Sequence, residues 1–185
     1  MSLIKLSILS FVFSFVGITA KANSISFKET LDQSKYSVFF LRHALAPGYG
    51  DPTDFNIDDC KTQRNLNSEG KDQARSIGTD LKSIGISFDK IYSSEWCRCT
   101  ETASLLNLGE VTTLSGLNSF FQNHYNREET ITKLMNKLKS LDKTGRVLMV
   151  THQVVISAIT GINVASGVAV AYDPSDGSAV KLSMR

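Results

Sequence analysis

The sequence predicts a three-layer α/β fold, a mostly parallel central sheet with helices on both faces. Three observations predict it. Two short apolar runs, Tyr36–Leu41 (YSVFFL) and Arg146–Val150 (RVLMV), are dense in β-branched and aromatic residues, as strands buried on both faces are. Glu128–Leu141 repeats instead at helical spacing, with Ile131, Leu134, Met135, Leu138 and Leu141 on one face. Strand-like and helix-like segments then alternate along the chain, the pattern of a sheet covered on both sides.

Residues 1–22 are read as a secretory signal and kept out of the fold. Lys5 precedes an apolar run from Leu6 to Ile18, and Ala20-Lys21-Ala22 supplies the small residues that signal peptidase requires. The run is shorter than the roughly 20 residues of a spanning helix, so cleavage after Ala22 is expected rather than a membrane anchor. The remainder, 23–185, suffices for one domain with its own core. The expected location is periplasmic or secreted, with no stable membrane insertion after cleavage. The formal net charge of +2 is matched by Lys5 and Lys21 in the signal. The mature chain is thus near neutral, with no basic patch to suit nucleic acid.

Along the domain, Tyr36–Leu41 is the opening strand and ends directly in Arg42-His43. Residues 44–63 hold two of the three prolines and four Asp with little periodicity, which marks a long loop of the kind that often carries function. Asn67-Ser68-Glu69-Gly70 caps a helix running to about Lys82, with Ala74, Ile77 and Leu81 at helical spacing. Phe88–Tyr92 is a strand, Glu95–Leu106 a helix and Glu110–Leu114 a short strand. Arg146–Val150 runs into Thr151-His152, and a helix follows from about Val154. Val168–Tyr172 and Ala179–Met184 flank Asp173-Pro174-Ser175-Asp176-Gly177-Ser178 and read as a hairpin or edge pair.

In such sheets ligands bind outside the carboxyl ends of the strands. Arg42, His43 and His152 each follow a buried strand, and Arg98 follows the Phe88–Tyr92 strand by a short turn. Two imidazoles and two guanidinium forks at one sheet edge make a pocket for a dianion, because the planar fork grips phosphate oxygens in pairs.

At these residues the chain resembles the histidine phosphatase superfamily, also called phosphoglycerate mutase-like. Its Arg-His-Gly motif corresponds to Arg42-His43-Ala44. Its S-S-x-x-x-R-x-x-x-T-A motif corresponds to Ser93-Ser94-Glu95-Trp96-Cys97-Arg98-Cys99-Thr100-Glu101-Thr102-Ala103, and its strand-Thr-His-helix element to Val150-Thr151-His152-Gln153. Arg64-Asn65-Leu66-Asn67-Ser68-Glu69-Gly70 is similar to the R-x-L-[TS]-x-x-G element of short bacterial members, which implies a phosphate contact for Arg64. The resemblance implies that His43 is the nucleophile and forms a phosphohistidine that water hydrolyses, that Arg42, Arg98 and His152 neutralise the phosphoryl oxygens, and that no metal or other cofactor is required.

Two departures stand out. Mutase-like members carry a Glu where this chain has Ser119, and acid phosphatases of the superfamily place an Asp after the second His, where this chain has Gln153. The acid that protonates the leaving group must then come from elsewhere, with Asp51, Asp54, Asp58, Asp59, Glu128 and Glu129 as candidates, or be absent as in the short phosphohistidine phosphatases. Ala44 in place of Gly adds one methyl beside the nucleophile.

The cysteines leave the pairing open. Cys60 can bridge to Cys97 or to Cys99, or all three can remain thiols. Their spacing does not suit zinc, and a metal set of His43, His124 and His152 has the least support. The expected partner is a small-molecule or glycan phosphate, with a cell-envelope sugar phosphate in view. A noncatalytic anion-binding protein is the alternative. Phe120, Phe121 and Tyr125 are candidates for a wall beside the pocket or for core.

Overall fold

The computed structural model describes residues 25–26, 29, 36–142 and 144–183. The signal read in residues 1–22 lies outside the described residues. The strands are β1 (Ile25–Ser26), β2 (Val38–Arg42), β3 (Lys90–Ser93), β4 (Val111–Thr113), β5 (Val147–Thr151), β6 (Ala169–Tyr172) and β7 (Ala179–Ser183). The helices are α1 (Ser68–Ser83), α2 (Cys97–Leu106), α3 (Arg127–Lys139) and α4 (Gln153–Thr160). The sheet order is β1-β7-β6-β2-β5-β3-β4. β2, β5, β3 and β4 run parallel to one another, as β1 does to β7, and β6 joins antiparallel to both β2 and β7, so the sheet is mostly parallel with a hairpin on one side.

Strand periodicity distributes the core. Phe39 and Leu41 of β2, with Leu148 and Val150 of β5, face Ile77 and Leu81 of α1 and Ala103 and Leu106 of α2. Their alternate neighbours Val38, Phe40, Val147 and Met149 face Leu134 and Leu138 of α3 and Val155 and Ile156 of α4. Both central strands are thus buried on two faces, which is why they read as unbroken apolar runs rather than alternating ones.

The element ends follow local chemistry. Asn67 caps α1 by accepting from the Gly70 amide at 2.8 Å. Gly70 is required for a second reason, since a Cβ there would lie 1.9 Å from the Leu45 carbonyl oxygen. The start of α1 is therefore pressed against the chain that leaves His43. Asn126 caps α3 through the Glu129 amide at 3.0 Å. Several strands are shorter than expected, β3 beginning at Lys90 and β4 at Val111, because pairing with a neighbour, not apolarity, sets where a ladder starts.

Candidate active site

The register of the central strands assembles the site. Arg42 pairs with Thr151 in the β2–β5 ladder, so the next residue of each strand leaves the sheet beside the other. The His43 amide donates to the Thr151 carbonyl at 2.9 Å, and the two imidazole centroids lie 5.4 Å apart, edge to face. β3 ends on the same edge, where the Ser94 amide donates to the Val150 carbonyl at 2.9 Å. Thr102 anchors the chain after His43, its hydroxyl accepting from the Ala44 amide at 3.0 Å.

His43 is buried, and its Nδ1 lies 2.8 Å from the Ala44 carbonyl oxygen. A carbonyl only accepts, so Nδ1 carries the proton and the lone pair is on Nε2. Burial first, then the field of Arg98, lowers the His43 pKa to about 3, which keeps the ring neutral. His152 is also driven well below the usual range by burial and Arg98. Arg98 Nη2 lies 3.4 Å from its Nδ1, and since Arg only donates, Nδ1 accepts there. Nε2 of His152 then donates to Ser94 Oγ at 3.0 Å, which passes the chain on to Asn118 Oδ1 at 3.1 Å.

The guanidinium groups divide into two kinds. Arg42 and Arg64 line a cleft of about 420 Å³ together with His43 and His152. Arg42 Nη1 is oriented by Gln153 Oε1 at 2.9 Å and the Val164 carbonyl at 2.8 Å. Arg64 donates through Nε to the Gly50 carbonyl at 2.9 Å and through Nη1 to the Ala46 carbonyl. Arg98, expected among the groups that neutralise the phosphoryl oxygens, lies behind them. It is buried, and its two Nη atoms are held by Asp51 at 2.7 and 3.1 Å. Burial and Arg98 lower the pKa of Arg42 and of Arg64. The Nε atoms of Arg42 and Arg98 are buried and have no partner among the described residues. An unpaired buried donor costs about 1–3 kcal/mol, and at Arg42, on the cleft wall, an oxyanion accepting from Nε would remove that cost.

The candidate acids fall away from the cleft. Asp51 accepts from Arg98, from Trp96 Nε1 at 3.1 Å and from the Arg64 amide at 3.0 Å. Burial alone pushes its pKa up, but the hydrogen bonds and charge of Arg98 outweigh it and hold the carboxyl ionised below its ordinary range. A carboxylate so held stores no proton for a leaving group. Asp54, Asp58 and Asp59 are exposed, and Asp59 caps the short turn Cys60–Thr62. Glu128 and Glu129 are exposed at the start of α3, where Glu129 pairs with Lys133. Ser119 and Gln153 do line the cleft, and among the described residues no carboxylate does.

The loop over the cleft is tied down from several sides. Cys60 and Cys97 form the disulfide and Cys99 is a buried thiol, which resolves the pairing that the spacing had left open. Gln63 accepts from the Cys97 amide at 2.9 Å, and Phe55 stacks on Trp96 at 4.9 Å. Phe121 lines the cleft, whereas Phe120 and Tyr125 pack against the two halves of the core. His124 stacks on Phe55 at 4.2 Å and does not line the cleft. Among the described residues no three metal-ligating side chains come together. Nor is any helix there long and apolar enough to cross a membrane. Ser94, Thr102 and Asn118 were missed as site residues, and Asp51 was read as a candidate acid rather than as the counter-charge of Arg98. Ser94 and Thr102 had a signal, as fixed positions of the second motif, whereas the pairing of Asp51 with Arg98 had none.

The carboxyl ends of the central strands thus carry two neutral imidazoles beside guanidinium groups with donors to spare, an arrangement that suits an oxyanion. The model of the histidine phosphatase superfamily (branch 1) matches residues 38–125, just under half of the chain, and the resemblance read from the motifs is borne out there. No curated protein sequence matches the chain significantly. Solved structures similar to it include the protein histidine phosphatase SixA complexed with tungstate, at 16% identity and TM-score 0.53 over 78% of this chain and 92% of that one. Phosphoserine phosphatase from Entamoeba histolytica in complex with 3-phosphoglyceric acid is 18% identical, at TM-score 0.56 over 79% and 94%. A putative alpha-ribazole-5'-P phosphatase from Escherichia coli is 18% identical, at TM-score 0.55 over 78% and 93%. At these identities the likeness speaks for the fold alone.

Proposed function

We propose that this protein is a phosphatase that hydrolyses a phosphomonoester or similar phosphoryl group through a phosphohistidine on His43. The carrying observation is the placement of His43, whose Nδ1 lies 2.8 Å from the Ala44 carbonyl oxygen, so that the proton belongs on Nδ1 and the lone pair on Nε2, in a cleft lined by Arg42 and Arg64. Nε2 attacks phosphorus as the bond to the leaving oxygen breaks. Water then attacks the phosphohistidine, the P–N bond breaks, and phosphate leaves with the ring restored. Arg42 and Arg64 neutralise the oxygens from the cleft wall, Arg98 supports their field from behind, and His152 shapes the floor as a neutral donor and acceptor. The scheme uses no metal.

With no carboxylate on the cleft, water supplies the leaving group's proton, so phosphoramidates, acyl phosphates and aryl phosphates are turned over faster than alkyl esters, and a sugar phosphate slowly. On the signal read in residues 1–22 the enzyme works in the periplasm or outside the cell, where a cell-envelope sugar phosphate is the candidate substrate. The Cys60–Cys97 bridge supports such an oxidising compartment. The same missing acid favours a second reading, an anion-binding protein without turnover.

The test is hydrolysis of p-nitrophenyl phosphate and of phosphoramidate in the presence of a chelator, by the protein and by His43→Ala. Turnover that the substitution lowers on the order of 10⁴-fold or more supports the phosphohistidine route. Binding of tungstate or phosphate with no turnover of either compound overturns it in favour of the second reading.

A further inference from the structure

The cleft is larger than a phosphoryl group needs and falls within the range of small-molecule sites. Part of its wall is apolar, from Pro47, Tyr49, Phe121 and Val154. Tyr49 is the unusual member. It is 87% exposed, and among the described residues only Ile84, at 39%, is another large apolar side chain left in solvent. Its ring meets that of Phe121 edge to face, with centroids 5.2 Å apart.

Neither ring is there by default. Tyr49 sits between Gly48 and Gly50, whose φ angles of 96° and 70° suit glycine. Arg64 touches both flanks, with its Cδ 3.5 Å from where a Gly48 Cβ would be and its Nε donating to the Gly50 carbonyl. The turn that displays the ring is thus bolted to a guanidinium of the cleft. On the other side, Gln122 and Asn123 hold φ of 59° and 60° without being glycine, a left-handed conformation that such residues adopt only under strain. Gln122 Oε1 accepts from the Asp51 amide at 2.7 Å, which fixes the turn bearing Phe121 to the loop bearing Tyr49. Strained backbone on one side and two left-handed glycines on the other hold an aromatic ring in water beside the nucleophile.

Resting on the site of the proposed phosphatase, we infer that Tyr49, backed by Phe121, is a stacking platform for the leaving group, and that the substrate's phosphate is borne by a six-membered ring with a flat carbon face. A pyranose and an aryl ring share this chemistry, since both present C–H edges or a π face to an aromatic ring. An acyclic alkyl group does not. Tyr49 is on this reading a specificity-determining residue, and His43 acts on whatever the platform orients.

The experiment uses phosphonates, whose P–C bond is not hydrolysed, so that binding is read independently of turnover. Calorimetric Kd values are measured for methylphosphonate, phenylphosphonate and the methylenephosphonate of glucose, with wild type, Tyr49→Ala and Tyr49→Phe. Wild type is expected to favour one or both ring compounds over methylphosphonate by roughly 3- to 10-fold. In Tyr49→Ala that ratio falls to about one, and in Tyr49→Phe it persists, because the ring and not the hydroxyl makes the contact. Which ring compound shows the larger ratio tells sugar from aryl. A wild-type ratio near one, or a ratio that survives Tyr49→Ala, overturns the platform. Ring preference without hydrolysis of p-nitrophenyl phosphate keeps the platform and removes the phosphatase, so the two failures are distinguishable.

Discussion

His43 and His152 stand on the ends of two paired strands, whereas Tyr49 and Phe121 stand on loops that join no ladder. The first pair is positioned by register. Once Arg42 lies opposite Thr151, backbone geometry brings the following residues together, and the core beneath them is buried. The second pair is positioned by side chains reaching across long stretches of sequence, from Asp51 to Arg98, Gln63 to Cys97, Gln122 to Asp51 and Cys60 to Cys97. A floor made from the sheet and a roof made from cross-links differ in how they fail. The floor fails only with the fold, and the roof can be loosened one tie at a time.

The sharpest way to break that contrast is Asp51→Asn. It leaves the Arg98 guanidinium buried without a counter-charge, so a loss of about 3–5 kcal/mol is expected in urea unfolding, with kcat/KM falling as Arg98 loses its orientation. A loss below about 1 kcal/mol would show that the roof does not depend on this tie. Next in size is the bridge. Cys97→Ser opens a link between residues 37 apart and is expected to cost roughly 3–4 kcal/mol, read from the urea midpoint against the unreduced protein. Far-ultraviolet circular dichroism should keep its native shape below the transition, because the bridge ties the roof and not the sheet.

The smallest effect sharpens the floor. His43 is neutral in the fold with a pKa of about 3, while in the unfolded chain it titrates near its ordinary value of 6.5. Below 6.5 the unfolded state takes up a proton that the folded state refuses, so stability is full above that pH and declines toward 3. The decline is about 1.4 kcal/mol per pH unit from this ring well below 6.5. Urea midpoints at pH 7, 6 and 5 for the protein and for His43→Ala check it, since His152, also held below its ordinary range, adds a decline to both, and equal slopes for the two would mean that the His43 ring is charged in the fold. The acid limb of kcat/KM should lie well below 6.5 for the same reason.

The floor was legible in the sequence and the roof was not, and the contrast explains why. β2 and β5 announce themselves because two-sided burial leaves no room for polar residues, and the histidines follow them directly. The cap at Asn67 and the face of α3 were readable because their partners lie within a turn or two. Arg98 was found, but its role was drawn from a motif, and no local pattern says that Asp51, 47 positions away, takes its Nη atoms. The same holds for the choice of Cys97 over Cys99, two residues apart and equivalent in composition. That choice depends on which side of α2 meets the loop, a tertiary fact.

Cys99 carries a further meaning for how the molecule comes to be made. Two positions apart on a helix, Cys97 and Cys99 point in different directions, and the core closes over Cys99 completely, with its Sγ 3.4 Å from His152 Nε2 and its thiol pKa pushed up to about 12. A chain that collapses first hides this thiol as an unreactive neutral group, and one oxidation product remains to be formed. A chain oxidised first has three pairings open to it, two of which tether Cys99 and keep it from the core. Burial of one thiol thus narrows three possible pairings to one in a chain that has already collapsed.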